Sequence, residues 1–104
     1  MAFEMLVGLH VIDDEMYTAY REAMKPILIL YKGGFSYDFK VAEVLKHEES
    51  SPEGSNINRV FTIYFESKAS SDAFFSDTDY LAVKSQYFEH SVGGTTIIAS
   101  YETK

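Results

Sequence analysis

The amino-acid sequence predicts a single α+β domain spanning residues 1–104, with its elements in the order β-α-β-β-α-β. Three observations carry that prediction. Four stretches, 3–12, 35–45, 59–66 and 95–102, alternate in the two-residue period of strands or are rich in β-branched residues. Two others carry apolar residues at the three-to-four spacing of a buried helical stripe. Polar capping residues and glycine pairs fall between these stretches, where an element must start or stop.

In the first strand Phe3, Met5, Val7, Leu9 and Val11 share one face, and Glu4, Leu6, Gly8, His10 and Ile12 share the other. Both faces are largely apolar, which fits a central strand covered on both sides. Asp13-Asp14-Glu15 opens the first helix, because carboxylates accept from free N–H groups and suit the positive end of the dipole. Its stripe runs through Met16/Tyr17, Tyr20, Met24, Ile27/Leu28 and Tyr31, with Arg21, Glu22 and Lys25 to the polar side. Pro26 removes one backbone bond and predicts a bend, and Gly33-Gly34 ends the helix, Gly33 serving as a left-handed cap.

Phe35, Tyr37, Phe39 and Val41 alternate with Ser36, Asp38, Lys40 and Ala42 in a second strand expected to reach about Leu45. Residues 47–58 turn to Glu, Ser, Pro, Gly and Asn and read as a long hairpin loop. In the third strand Phe61, Ile63 and Phe65 oppose Val60, Thr62 and Tyr64. Ser67 can cap the next helix, which Ser76-Asp77-Thr78-Asp79 interrupts and recaps. Tyr80, Val83, Lys84, Tyr87 and Phe88 continue at helical spacing until Gly93-Gly94, a pair that reads as a break before the last strand.

Two β-α-β units in this order define a ferredoxin-like fold, a four-stranded antiparallel sheet with both helices on one face. The other sheet face is also apolar at alternate positions, which a monomer would leave open to water. Packing two sheets face to face covers it, so the chain is expected to form a homodimer, a dimeric α/β barrel.

Composition excludes several functions. The chain has 104 residues, a net charge of −7 and no run of basic residues, which argues against nucleic acid. The absence of cysteine excludes disulfides, thiolate metal sites and cysteine nucleophiles. No apolar run approaches the ~18 residues of a membrane span and no signal peptide is evident, so a cytoplasmic protein without membrane contact is expected. Gly33-Gly34 and Gly93-Gly94 follow helices, whereas phosphate loops precede them, so no nucleotide cofactor is expected. His47 beside Glu48 and Glu49, and His90 after Glu89, match no ligand spacing, so no metal is expected. Eight Phe and eight Tyr are many for this length and point to rings lining a core or an apolar pocket.

Tyr20-Arg21, Pro26 and Tyr31-Lys32-Gly33-Gly34-Phe35 together resemble the "YR…P…YGG" signature of the DUF1330 family. The segments 59–67 and 79–84 are similar to two further stretches of that family, although Glu66 stands where the family usually has proline. The resemblance covers roughly Met5 to Lys84 and implies the dimeric α/β-barrel superfamily, with a pocket between the sheet and the helices of each subunit. It implies no settled activity.

Polar side chains expected to point into that pocket are His10, Tyr20, Arg21, Asp38 and Tyr80. A histidine oriented by a carboxylate serves as a general base, which makes His10 and Asp38 the candidate catalytic pair. Tyr20 and Tyr80 would anchor or protonate a ligand oxygen, and Arg21 would meet a carboxylate through its planar fork. Each has a plainer alternative: His10 as a buried, hydrogen-bonded histidine, Tyr20 and Tyr80 as core rings, Arg21 in a surface ion pair, Asp38 facing solvent. Two functions follow. One is a cofactor-independent enzyme acting on a small organic acid or carbonyl compound. The other is a non-catalytic small-molecule-binding or interaction domain.

Overall fold

The structure, a computed structural model, describes residues 2–50 and 52–103; position 51, inside the 47–58 connection, lies outside the described residues. Strands β1 (Ala2–Val11), β2 (Gly34–Lys40), β3 (Arg59–Phe65) and β4 (Val92–Thr103) form one antiparallel sheet in the order β2-β3-β1-β4. Helix α1 (Asp14–Leu30) follows β1. The connection from β3 to β4 holds α2 (Lys68–Ser76), α3 (Thr78–Val83), a π-helical turn (Lys84–Phe88) and the short α4 (Glu89–Ser91). This is the ferredoxin-like α+β fold that the element order predicts.

The caps act where the sequence places them. The Asp13 carboxylate accepts from the Met16 amide at 3.0 Å, and the Ser67 hydroxyl accepts from the Ser70 amide at 3.1 Å. Asp77 accepts from the amides of Asp79 (2.8 Å) and Tyr80 (3.1 Å), ending one helix and starting the next. Tyr31 donates to the other Asp77 oxygen at 2.6 Å, so α1 is tied to this corner.

The end of α1 departs from expectation. The left-handed residue is Lys32 (φ 56°), not Gly33. The Lys32 amide bonds the Ile29 carbonyl and the Gly33 amide bonds the Leu28 carbonyl, each at 3.0 Å, which is the paired Schellman closure. Gly33 is required for space: a Cβ there would lie 2.5 Å from Leu28 Cδ1 and 2.9 Å from the Tyr64 carbonyl oxygen. The helix continues across Pro26 to Leu30.

Two strand boundaries also differ. β2 ends at Lys40 instead of reaching Leu45; Val41 still bonds the Asn58 carbonyl at 2.9 Å, and beyond it the chain leaves the sheet. β4 starts at Val92 and includes Gly93 and Gly94. Gly94 lies opposite His10, and a Cβ on Gly93 would meet the His10 ring at 3.2 Å. The glycine pair therefore admits the β1 side chains and does not break the chain.

The helices cover the sheet face that carries Phe3, Val7, Leu9, Val11, Phe61, Ile63 and Phe65, and with Tyr17, Tyr20, Met24, Leu28, Phe74 and Tyr80 these make the core. Phe74 is fully buried among the rings of Phe65, Phe75, Tyr80 and Tyr31. The opposite sheet face is open. Tyr37 and Phe39 stack at 5.8 Å and remain 63% and 55% exposed, and Ile98 and Tyr101 are also exposed. Ile57, from the connection after β2, packs over Gly8 and covers part of this face. Among the described residues, no helix is long and apolar enough to cross a membrane.

Candidate functional site

Between the sheet and the helices lies a cavity of about 340 Å³. Its floor is the inward face of the strands, including Met5, Val7, Phe61 and Ile63, which the two-residue period brings to one side. Its roof comes from α1 through Tyr17, Tyr20, Arg21 and Met24, and from the second helical connection through Phe75, Tyr80, Lys84 and Phe88. The wall is mostly carbon, with its polar atoms few and convergent, the composition of small-molecule sites. The volume is near the lower end for such sites and suits one substituted ring or a short branched chain.

Inside the roof, the hydroxyls of Tyr20 and Tyr80 lie 2.9 Å apart, and either can donate. The two residues are 5% and 4% exposed. Burial raises the pKa of both, that of Tyr20 very strongly, and the Tyr80 hydroxyl adds to the shift on Tyr20. Both are therefore neutral donors over the ordinary pH range. Two hydroxyls carry two hydrogens and their mutual bond uses one, so the pair has one donor left over.

Arg21 closes one side. Its Nε donates to the Tyr17 hydroxyl at 2.8 Å, and its two terminal nitrogens donate to the Asp38 carboxylate at 3.1 and 3.3 Å. Its plane lies over the rings of Phe35 (4.0 Å), Phe61 (4.7 Å) and Tyr17 (5.1 Å). The guanidinium is neutralised on its edge and covered on its faces. Burial raises the pKa of Tyr17 too, with Arg21 opposing the shift.

Of the residues expected in the pocket, Tyr20, Arg21 and Tyr80 line the cavity. Asp38 does not line it but reaches its edge through Arg21. His10 is not brought there. Leu9 and Val11 are buried on the helix side, and strand alternation points His10 to the opposite face, beside Gly93. The expected His10–Asp38 pair is thus not assembled within the subunit: Asp38 faces Arg21 on the helix side of the sheet. Arg21, for its part, pairs with Asp38 and not with the neighbouring helix carboxylates.

Tyr17, Lys84 and Phe35 are among the further residues that line the cavity. Tyr17 sits three residues before Tyr20 on the same stripe, and Lys84 four residues after Tyr80, so helical spacing was the signal for both. Phe35 had no such signal. Opposite β3, Phe35 pairs with Ile63 and Tyr37 with Thr62, so Ser36 is an extra, bulged residue. The bulge turns Phe35 and Asp38 toward the helices and Tyr37 and Phe39 away, dividing aromatics that alternation alone places on one face.

The π-helical turn at Lys84–Phe88 contributes both of its end residues to the cavity. Its closing bond runs from the Glu89 amide to the Lys84 carbonyl, five residues back. Such wide turns recur at functional sites because the added residue re-aims side chains that regular spacing would turn away.

No protein-family model matches the chain, and no curated protein matches it. Solved structures do. A protein of unknown function from Rhodopseudomonas palustris superposes with a TM-score of 0.77 at 15% identity, over 99% of this chain and 82% of that one. A dimeric ferredoxin-like protein of unknown function from Jannaschia sp. gives 0.58 at 16% identity, over 99% and 100%. A hydroxynitrile lyase from Passiflora edulis gives 0.66 at 8% identity, over 99% and 94%. At these identities the likeness establishes the ferredoxin-like fold, which hosts proteins of unknown function and enzymes alike.

Proposed function

We propose that the protein binds a small, mainly apolar organic oxygen compound in the cavity between sheet and helices. The observation that carries this is the Tyr20–Tyr80 pair, two buried hydroxyls with one hydrogen in surplus, set in a mainly apolar space that Arg21 and Lys84 also border. A ligand carbonyl or hydroxyl oxygen would take that hydrogen while its carbon skeleton replaces water against Val7, Phe61 and Phe88. Binding is favoured over proton transfer by His10, because among the described residues the lining side chains include Tyr20, Arg21, Tyr80 and Lys84 but no imidazole or carboxylate.

The working unit in this reading is a homodimer. Support comes from the open sheet face, where Tyr37, Phe39, Ile98 and Tyr101 leave more apolar surface exposed than a lone subunit usually carries, and from the dimeric neighbour of the same fold. The relationship we infer is to DUF1330-type proteins. It is supported by the structural work of the signature residues: Tyr20 and Arg21 wall the cavity, and Tyr31, Lys32 and Gly33 build the turn that closes α1.

A thermal-shift screen of small aromatic and aliphatic ketones, alcohols and acids tests the reading. A compound at one hundred times its Kd stabilises by about 2.7 kcal/mol, which for a domain of this size moves Tm by roughly 10 °C or more. The shift should shrink in the Tyr20→Phe/Tyr80→Phe double variant. If no compound moves Tm at millimolar concentration, or if the shift is unchanged in that variant, the cavity is not the binding site.

A further inference from the structure

Lys84 stands apart from the other described lysines. Lys25, Lys32, Lys40, Lys46 and Lys68 are exposed, whereas Lys84 is half-buried and lines the cavity. In a chain with sixteen Asp and Glu against nine Lys and Arg, Arg21, Arg59, Lys32 and Lys68 each have a carboxylate partner. Lys84 has none among the described residues. It is one turn from Tyr80 on the same helical face, and Lys84, Tyr20 and Tyr80 all border the one cavity.

Arg21, the other cation at the cavity, is already charge-paired. Asp38 holds both its terminal nitrogens, Tyr17 holds Nε, and aromatic rings cover its faces. An anion arriving there would have to displace a carboxylate already in place or be repelled by it. At Lys84 it meets a half-buried side chain with no carboxylate partner among the described residues, so no standing anion has to be displaced.

We infer that Lys84, not Arg21, is the anion-recognition residue of this pocket. The ligand class is then a small ring or branched chain with a carboxylate at Lys84 and a neutral oxygen at the Tyr20–Tyr80 pair. The inference rests on the small-molecule reading of the cavity, and it narrows that reading to organic acids bearing a second oxygen function.

Calorimetric titration with 3-hydroxybenzoate and its neutral counterpart 3-hydroxybenzamide separates the two claims. The wild-type protein should bind the acid at least tenfold more tightly than the amide, since a bond to a charged group outweighs a neutral one. In Lys84→Met, which keeps the apolar stem, that preference should fall to about twofold; Lys84→Arg should keep it. Arg21→Met should change both ligands alike. If the preference survives in Lys84→Met, or is lost in Arg21→Met alone, the assignment of Lys84 is overturned while the pocket stands. If neither compound binds, or both bind without regard to Tyr20→Phe and Tyr80→Phe, the pocket reading fails and the inference fails with it.

Discussion

Replacing one tyrosine of the buried pair should cost more than replacing both in proportion. Tyr20→Phe removes a hydroxyl that is bonded at 2.9 Å to Tyr80, leaving the Tyr80 oxygen in a site where the residue is 4% exposed. Leaving a buried hydroxyl without its partner costs about 1–3 kcal/mol, whereas removing both partners forfeits only the bond's net worth of about 1 kcal/mol. Each single variant should therefore lose about 2 kcal/mol. The double variant leaves no orphan, and its rings keep the contacts with Phe88, 5.0 Å from Tyr20, and Phe74, 4.4 Å from Tyr80. It should lose only about 1 kcal/mol, giving a coupling energy of about −3 kcal/mol in the double-mutant cycle, near the upper end for residues in direct contact. Urea denaturation followed by tyrosine fluorescence or far-ultraviolet circular dichroism measures all four proteins. Additive losses, with each single variant within about 0.5 kcal/mol of the parent, would refute the buried-pair account.

Lys32→Gly should stabilise the protein by about 0.5–1 kcal/mol, because glycine relieves the left-handed backbone while the exposed Lys32–Glu66 contact at 3.5 Å contributes little; denaturant melts check it. At acid pH, the Tyr31 hydrogen bond followed by the backbone bonds of Tyr80 and Asp79 lowers the pKa of Asp77 below its ordinary 3.8. A lowered folded-state pKa means stabilisation that is complete above 3.8 and lost as pH falls through the folded value, so Tyr31→Phe should flatten the acid limb of a Tm–pH profile below about pH 4. At the alkaline end the sign reverses. Burial raises Tyr17, Tyr20 and Tyr80 above the ordinary 10.0, so their contribution is complete below pH 10 and lost as pH rises beyond it. Tyrosine absorbance at 295 nm should show these three ionising only with alkaline unfolding, and free titration of all eight near pH 10 would contradict it.

The architecture was legible because its determinants are local and redundant. Asp13, Ser67 and Asp77 cap the helices that their positions announce, and the inward residues of β1 and β3 follow one unbroken alternation. The site was legible where it lies on helices: Tyr20, Arg21 and Tyr80 fall on the stripe and its margin. It was obscured where polarity was allowed to outweigh period. Alternation already set His10 apart from Leu9 and Val11, and only the expectation of a polar pocket residue drew it inward. The bulge at Ser36 had no sequence mark, since one inserted residue changes facing without changing composition, and it decided the placement of Asp38, Tyr37 and Phe39. Lys32 shows the same limit from another side: the helix stop was readable, but the left-handed turn falls on Lys32, while Gly33 is needed for space against Leu28 and Tyr64.

The space between sheet and helices should receive the ligand. A titration of isotope-labelled protein with 3-hydroxybenzoate, followed by two-dimensional NMR, tests it most directly. Saturable shift changes should centre on Tyr20, Phe61, Tyr80, Lys84 and Phe88, with Tyr37, Phe39 and Tyr101 on the opposite sheet face unmoved. Changes confined to that opposite face, or none at saturating ligand, would contradict it.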